Sequence, residues 1–448
     1  MKMENTDMKT RFAPSPTGLL HIGNIRTALI CYLYAKKSRG ELLLRIDDTD
    51  TQRSKAEYAD KIQEDLKWLG LNWDEIAFQS KRFDKYDAAV EKLKADGRLY
   101  ACYESAEELD VKRKMQLSRG LPPIYDRAGL KLTADEIAKF EAEGKTPHWR
   151  FKMADGAIAW EDEVRGSTKF ETKNLSDPIL IRENGAYTYM LPSTVDDIEF
   201  EITHVLRGED HVSNTAIQIQ LFEALGGDVP KFAHTAMVKS KEGKLSKRTG
   251  SAGVGELCDD KILPMAVNSF LAKVGTSDSI ELRPTLDDLV AEFDINKFGR
   301  APTIYTIDDI LRLNVKALHE LSFEDAKPYF AGLKLTDVKH DFWLAVRPNL
   351  ENIDELYEWW TICNGSVKPI IDDADFAAKA AELLPDGEWD ETTWKSWADA
   401  VKEKTGRKGK ELFMPLRKAI TGMEHGPELK VLLPLIGREK VLERLGRA

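Results

Sequence analysis

The chain has 448 residues, a formal net charge of −11 and 42% hydrophobic residues. That length exceeds what one hydrophobic core organises and points to about two to four modules. The acidic balance argues against a protein that coats nucleic acid nonspecifically, but it leaves room for a local basic face.

No run of about 18 apolar residues marks a membrane span. The opening MKMENTDMKTRF lacks the apolar stretch of a signal peptide. A cytoplasmic protein without membrane association is expected. The four cysteines, Cys31, Cys102, Cys258 and Cys363, are too scattered for a CxxC metal knuckle or a disulfide framework.

In chain order, TRFAPS reads as a short strand and residues 24–36 as a helix with Ile25, Leu29 and Leu33 on one side. GELLLRIDDTD is a continuous apolar strand ending in acids, as in a buried parallel sheet. Residues 56–69 follow as a second helix, closed by Gly70. This alternation predicts an open α/β sheet. From about 106 to 160 the composition turns charged, punctuated by Pro122, Pro123 and Pro147, and resembles a domain inserted into the first.

ILIRENGAYTYML, residues 179–191, sets Asn184-Gly185 between two strand-like runs and predicts a hairpin. EITHVLRGEDH returns to buried-strand character, and Asn214 is placed to cap a helix over 215–225. Beyond about Leu311 helical patterns dominate, and Trp359, Trp360, Trp394 and Trp397 supply large apolar surfaces more suited to a core than to base stacking.

Two stretches carry the chemistry. RFAPSPTGLLHIGNIRTAL, residues 11–29, runs from irregular backbone directly into a helix. A helix N-terminus exposes unpaired N–H groups that favour phosphate. Gly18 and Gly23 let backbone or an adenine ring approach, and His21 is suited to donate to a phosphoryl oxygen. By itself, glycine and histidine before a helix is more often a plain cap. GKLSKRTG, residues 243–250, sets Lys244, Lys247 and Arg248 around Ser246 between glycines. Most such basic runs are solvated surface, but this one is also suited to close over a triphosphate.

Together these stretches resemble the HIGH and KMSKS signatures of class I aminoacyl-tRNA synthetases, here His-Ile-Gly-Asn and Lys-Leu-Ser-Lys-Arg. RFAPSPTG, LRIDDTD, EDLKWLGL, THVLRGEDH, NTAIQIQLFEALGG and GRKGKELFMPLRKAITG resemble bacterial glutamyl-tRNA synthetases, in that family's order, from about Thr10 to Leu445.

The resemblance implies a Rossmann-type α/β catalytic domain with a parallel sheet, in two halves at 1–105 and 179–240. An α+β insertion that binds the tRNA acceptor end divides it at 106–178. A stem-contact domain at 241–315 carries the KLSKR loop, and an all-helical anticodon-binding domain fills 316–448. The implied reaction joins L-glutamate to the 3′ end of tRNA(Glu) through a glutamyl-adenylate, using ATP with Mg²⁺, in a monomer. Activation that requires bound tRNA is a habit of the family.

The site residues follow by motif position. Arg11 and Arg207 would clamp substrate carboxylate, since guanidinium pairs with it in two-point geometry. Asp47, where many relatives carry Glu, would accept from the substrate ammonium. Tyr189 and Ser193, the latter standing where many relatives have Asn, would line the glutamate pocket. Ala13 and Ser15 would add backbone and hydroxyl contacts. Gly18, His21, Gly23, Asn24, Lys244, Ser246, Lys247 and Arg248 would hold ATP, with His21, Lys244 and Lys247 as the catalytic cations and donors.

Some relatives bind zinc in the insertion through a Cys-x-Cys pair and a later Tyr-x-Cys. Here the corresponding runs are Tyr100-Ala101-Cys102 and Tyr125-Asp126-Arg127. One cysteine does not build a four-ligand site, and His148 alone reads as packing or surface, so no zinc is expected.

Strict enzymes of this type read the last anticodon base with an arginine. That position falls at Asn349, next to Arg347, so tRNA(Gln) is a possible second substrate. The basic cluster Lys402, Lys404, Arg407, Lys408, Lys410, Arg417 and Lys418 is the expected tRNA phosphate face. Enzymes that modify a tRNA base with activated glutamate match only the catalytic half, so the helical region counts against them. RFAPSPTG is the glutamyl rather than the glutaminyl form of the first motif. A silent tRNA-binding paralogue is disfavoured by intact His21, Arg11, Arg207, Lys244 and Lys247.

Overall fold

The computed structural model describes residues 8–241 and 253–446. The chain forms two compact units, Met1–Leu257 with Val267–Asp309, and Cys258–Ala266 with Ile310–Ala448. The strands of the first unit are β1 (Lys9–Phe12), β2 (Glu41–Ile46), β3 (Glu75–Phe78), β4 (Leu99–Cys102), β5 (His148–Phe151) and β6 (Ala157–Asp162). They continue as β7 (Gly166–Glu171), β8 (Ile179–Ile181), β9 (His204–Gly208), β10 (Lys231–Thr235), β11 (Val238–Ser240) and β12 (Thr303–Tyr305).

The main sheet has the order β3-β2-β1-β9-β10-β6-β7. All its pairings are parallel except β6 with β7. This is the Rossmann-type α/β architecture expected from the alternation of elements. A three-stranded sheet, β4-β5-β8, and the pair β11-β12 complete the unit.

Helix Ile22–Lys37 packs on β1, with Ile25, Leu29 and Leu33 fully buried. It begins two residues before the expected start because His21 itself is the cap. The helix Ala56–Trp68 ends where Gly70 takes a positive φ of 76°. Gly40 sets how closely the chain entering β1 approaches the start of β2. A Cβ there would lie 2.2 Å from the Met8 carbonyl oxygen, which accepts from the Glu41 N–H at 2.9 Å.

Three expectations are corrected. The hairpin at Asn184-Gly185 turns as expected, with Gly185 at φ 79°, but its second arm is a single bridge from Ile181 to Tyr187. The chain then enters the helix Met190–Glu199, whose first eight residues are all buried. A short apolar run looks alike as buried strand or buried helix, so its periodicity does not separate them. The next helix starts at Val212 with His211 as its cap, so Asn214 lies inside the first turn. Finally, the hairpin β6–β7 falls within the stretch expected as one insertion, 106–178, yet it extends the edge of the main sheet. Its outward charges, including Glu161, Lys169 and Glu171, are those of a solvated sheet edge.

In the second unit every element from Phe323 to Arg444 is helical among the described residues. Trp343 and Trp397 are fully buried, and Trp397 Nε1 donates to the Ala380 carbonyl at 2.9 Å. Trp359 is also buried, while Trp360 and Trp394 are half-buried. The buried indoles serve the core.

Gly40→Ala is expected to destabilise the first unit by about 1–3 kcal/mol, the usual range for overpacking. Chemical denaturation followed by tryptophan fluorescence measures it, and an unchanged midpoint would refute the close approach.

Candidate active site at the carboxyl ends of β1, β9 and β10

The chain leaves β1 towards β2 on one side, while β9 pairs with β1 on the other. This reversal of strand order opens a crevice at the carboxyl ends of the strands. A cavity of about 690 Å³ lies there. Arg11, Ala13, Ser15, Gly18, His21, Gly23, Asn24, Asp47, Tyr189, Ser193 and Arg207 all line it. The sequence thus brought these predicted residues together from four separate segments.

His21 caps the helix that follows it. Its Nδ1 accepts from the backbone N–H groups of Gly23 at 3.1 Å and Asn24 at 3.4 Å, and Asn24 Oδ1 accepts in return from the His21 N–H. Gly23 leaves room for this contact, because a Cβ there would sit a tight 3.0 Å from His21 Cε1. Partial burial lowers the imidazole pKa, which favours the neutral ring. With Nδ1 accepting, the ring proton resides on Nε2. The exposed imidazole therefore offers a donor beside a helix N-terminus, a combination suited to phosphate. Gly18 has nothing within 4 Å of its missing Cβ, so it faces open space.

The cavity floor is a buried ionic network. Arg45, the next-to-last residue of β2, is 1% exposed. Its Nε and Nη2 donate to Asp47 at 2.7 and 3.1 Å, and its Nη1 donates to Asp197 at 2.7 Å. Asp196 lies 3.8 Å away and pairs with Arg82 at 2.7 Å. Arg11 Nε donates to the same Asp197 oxygen at 3.1 Å. Burial opposes the Arg45 charge, but Asp47 and Asp197 more than offset it and hold the guanidinium ionised. Burial also pushes the Asp47 carboxyl up to about 6, against the pull of Arg45. The Ser193 hydroxyl accepts from Arg45 Nη2 at 3.1 Å, so Ser193 helps hold the floor.

Arg207, in β9, is held differently. Its Nε donates to His234 Nε2 at 3.1 Å, and its Nη2 donates to Thr215 Oγ1. Among the described residues no carboxylate oxygen lies within 4 Å of its nitrogens. Burial, then repulsion from Arg11, lowers its pKa to about 10. Tyr189 stands at the cap of the helix Met190–Glu199, two-fifths exposed, with its ring edge-on to His211.

Lys244, Ser246, Lys247 and Arg248 lie outside the described residues. In the second unit, Asn349 is exposed and Arg347 donates to the Leu321 carbonyl at 2.9 Å. Lys402, Lys404, Lys408 and Lys410 are exposed. Arg407 pairs with Asp373 and lies over the Phe376 ring, Lys418 pairs with Asp372, and Arg417 donates to the Pro427 carbonyl. The lysines therefore present the basic face, while these three cations are engaged within the fold.

His148 is not isolated, contrary to expectation. Cys102, Glu104 and His148 place one donor atom each within 4.8 Å of the others. Burial pushes the Cys102 thiol up to about 11 and His148 down to about 4. Arg150 donates to His148 Nε2 at 3.2 Å and covers the Tyr125 ring, so a guanidinium is already bound to one of the His148 ring nitrogens.

Sequence reasoning missed Arg45, Asp196, Asp197 and His234. The available signal was a charged residue inside an apolar strand, ELLLRI, and paired acids inside an apolar helix, STVDD. Buried charges require partners, so each segment called for the other.

Residues 7–310 match the family described as tRNA synthetases class I (E and Q), catalytic domain. Residues 343–448 match the anticodon binding domain family. The chain is 53% identical over 439 residues to glutamate–tRNA ligase 1 of Maricaulis maris (strain MCS10), covering 98% of each. It is 51% identical over 441 residues to glutamate–tRNA ligase 2 of Ehrlichia canis (strain Jake), covering 98% of this chain and 99% of that one. The crystal structure of a glutamate tRNA ligase from Elizabethkingia meningosepticum CCUG26117, in complex with its amino acid, superimposes with a TM-score of 0.84 at 29% identity. It covers 98% of both chains.

Asp197→Asn leaves Arg11 and Arg45 short of a shared buried counter-charge. It is expected to cost about 3–5 kcal/mol of stability, read from urea denaturation. A loss within experimental scatter would show that the network is not what holds the floor.

Proposed function

The chain belongs to the glutamate–tRNA ligase family of class I tRNA synthetases, and we propose that it joins L-glutamate to tRNA in two steps. A glutamate carboxylate oxygen attacks the α-phosphorus of ATP and releases pyrophosphate, giving glutamyl-adenylate. A terminal ribose hydroxyl of tRNA then attacks the acyl carbon and releases AMP. No covalent enzyme intermediate is required, so catalysis rests on positioning and charge.

The observation that carries this reading is the joining of two surfaces in one cavity. A helix N-terminus with an outward imidazole donor lies beside a floor of buried guanidinium groups. The first suits phosphate and the second suits a carboxylate. In this reading Arg11 and Arg207 clamp substrate carboxylate, and Asp47 receives the ammonium. Ala13, Ser15, Tyr189 and Ser193 shape the pocket. Gly18, His21, Gly23 and Asn24 hold the phosphate end, with His21 Nε2–H donating to the α-phosphoryl oxygen as charge builds there. Lys244, Ser246, Lys247 and Arg248 would neutralise pyrophosphate. Mg²⁺ would arrive on the nucleotide, held mainly by phosphate oxygens. No structural zinc is part of the reading, since the described donors number three and Arg150 is already bound to His148 Nε2.

The three-stranded sheet β4-β5-β8 and the helices between its first two strands are assigned to the acceptor end of tRNA, and the helical unit to the anticodon. Exposed Asn349 replaces a reading cation, so tRNA(Gln) is accepted beside tRNA(Glu). Arg347, Arg407, Lys408, Lys410 and Arg417 belong to this tRNA-facing set, with the lysines supplying most of the phosphate contact. The enzyme is taken to act as a cytoplasmic monomer.

The deciding experiment charges separate tRNA(Glu) and tRNA(Gln) transcripts with labelled glutamate, beside pyrophosphate exchange without tRNA. Charging of both is expected. Charging of tRNA(Glu) alone would remove the Asn349 argument, and exchange without any charging would favour base modification.

Asp47 must be ionised to hold an ammonium. Because its pKa is raised to about 6, mainly by burial, the carboxylate is lost as pH falls through that value. The kcat/KM for glutamate should therefore decline below about pH 6, and Asp47→Asn should abolish that limb. An acid limb with the same midpoint in the variant would assign it to another group.

A further inference from the structure

Two of the three guanidinium groups on the cavity floor, those of Arg11 and Arg45, are bound to carboxylates, and Arg207 is bound to neutral acceptors. The neutral acceptor at Arg207 Nε is an imidazole whose state is itself fixed. His234 is the β10 residue in register with Arg207 on β9, and Asp162 ends the neighbouring strand β6. Asp162 and His234 are wholly buried at their side chains. Asp162 Oδ1 accepts from the backbone N–H groups of Val164, Arg165 and His234 at 3.1, 2.9 and 3.1 Å. Its Oδ2 faces His234 Nδ1 at 2.5 Å.

These contacts leave one arrangement of protons. An acceptor at Nδ1 demands Nδ1–H, and Arg207 Nε at 3.1 Å and Thr215 Oγ1 at 2.9 Å meet an unprotonated Nε2. The ring is therefore neutral, with its lone pair aimed at Arg207.

We propose that Asp162 and His234 form a positioning relay across β6, β10 and β9 that orients Arg207 without neutralising it. A carboxylate in the place of His234 would orient the guanidinium equally well, but it would cancel the charge that draws the substrate anion. The imidazole supplies direction alone. Asp162 supplies the counter-charge one residue further away, where its role is to fix the tautomer. Burial, opposed by the Asp162 contact, keeps His234 from becoming a second cation beside Arg207. The relay rests on the assignment of Arg207 as a carboxylate clamp.

The test uses the full-length enzyme and steady-state charging of tRNA(Glu). Asp162→Asn keeps an oxygen for the backbone N–H groups but presents an amide N–H to His234 Nδ1. The ring proton then moves to Nε2 and confronts Arg207 Nε–H. The glutamate KM should rise about 10–100-fold, the range for loss of an outer hydrogen-bond partner. The KM values for ATP and tRNA should hold, and ¹⁵N-histidine NMR should report the tautomer exchange. His234→Gln retains an oxygen for Arg207 and an N–H for Asp162 and should keep the glutamate KM near that of the unaltered enzyme, whereas His234→Leu should raise it.

Arg207→Lys serves as the control. If it leaves the glutamate KM unchanged, the clamp reading fails and the relay falls with it. If Arg207→Lys raises that KM while Asp162→Asn does not, the relay alone is overturned. Equal increases for His234→Gln and His234→Leu would also overturn it. If Asp162→Asn does not fold, the two His234 variants decide.

Discussion

The ion network around Arg45 is the constraint on which the rest of the site depends. A buried guanidinium near the carboxyl end of a strand carries a desolvation cost of several kcal/mol. Asp47, just past the end of the same strand, offsets part of this, and Asp196 and Asp197 on the helix Met190–Glu199 offset more. The helix is thereby tied to the sheet at one rotation and one height. Ser193 and Tyr189 belong to the same helical segment, so their places in the cavity follow from where the acids must lie. Tyr86 and Gln79 add hydrogen bonds to Asp196, which leaves the pair little freedom to rearrange.

The phosphate end depends on a different device. β1 stops at Phe12 because an irregular run containing Pro14 and Pro16 follows, and the chain regains order only at His21. Using Nδ1 as the cap stabilises the helix and also decides which nitrogen faces outwards. Structure and chemistry are thus served by one side chain, and Gly23 leaves the room for it. Since β1 is flanked by β2 and β9, this helix end opens beside the arginines of β1 and β9 rather than at a distant edge.

Much of this was legible in the chain itself. The alternation from TRFAPS to EDLKWLGL gave the parallel sheet, since buried parallel strands read as unbroken apolar runs. The first helix was recognisable from Ile25, Leu29 and Leu33. The helix at Met190 was not, because eight consecutive buried residues erase the period that distinguishes helix from strand. Nor was the β6–β7 edge hairpin, whose alternating charges resemble any surface segment. The predicted cavity residues converged because they sit near the carboxyl ends of β1, β2 and β9, at the helix capped by His21, or at the start of the helix Met190–Glu199. Arg45, Asp197 and His234 escaped notice because their partners are distant in sequence: Asp197 is 152 residues beyond Arg45. Local pattern carries no record of such pairings.

The charges of the floor also bear on which amino acid it suits. Arg11, Arg45 and Arg82 are tied to Asp47, Asp196 and Asp197. Arg207 is the floor guanidinium without a carboxylate in direct contact among the described residues, its counter-charge Asp162 lying behind His234. Glutamate at neutral pH carries two carboxylates and one ammonium, a net charge of minus one. Its second carboxylate can give Arg207 the direct anionic contact it lacks, whereas a neutral amino acid of the same shape leaves that contact unmade. A missing partner in a desolvated site is penalised more heavily than a missing methylene. Selectivity in this reading therefore arises less from the contour of the pocket than from a guanidinium that the fold orients through neutral groups and leaves open to direct contact with an anion.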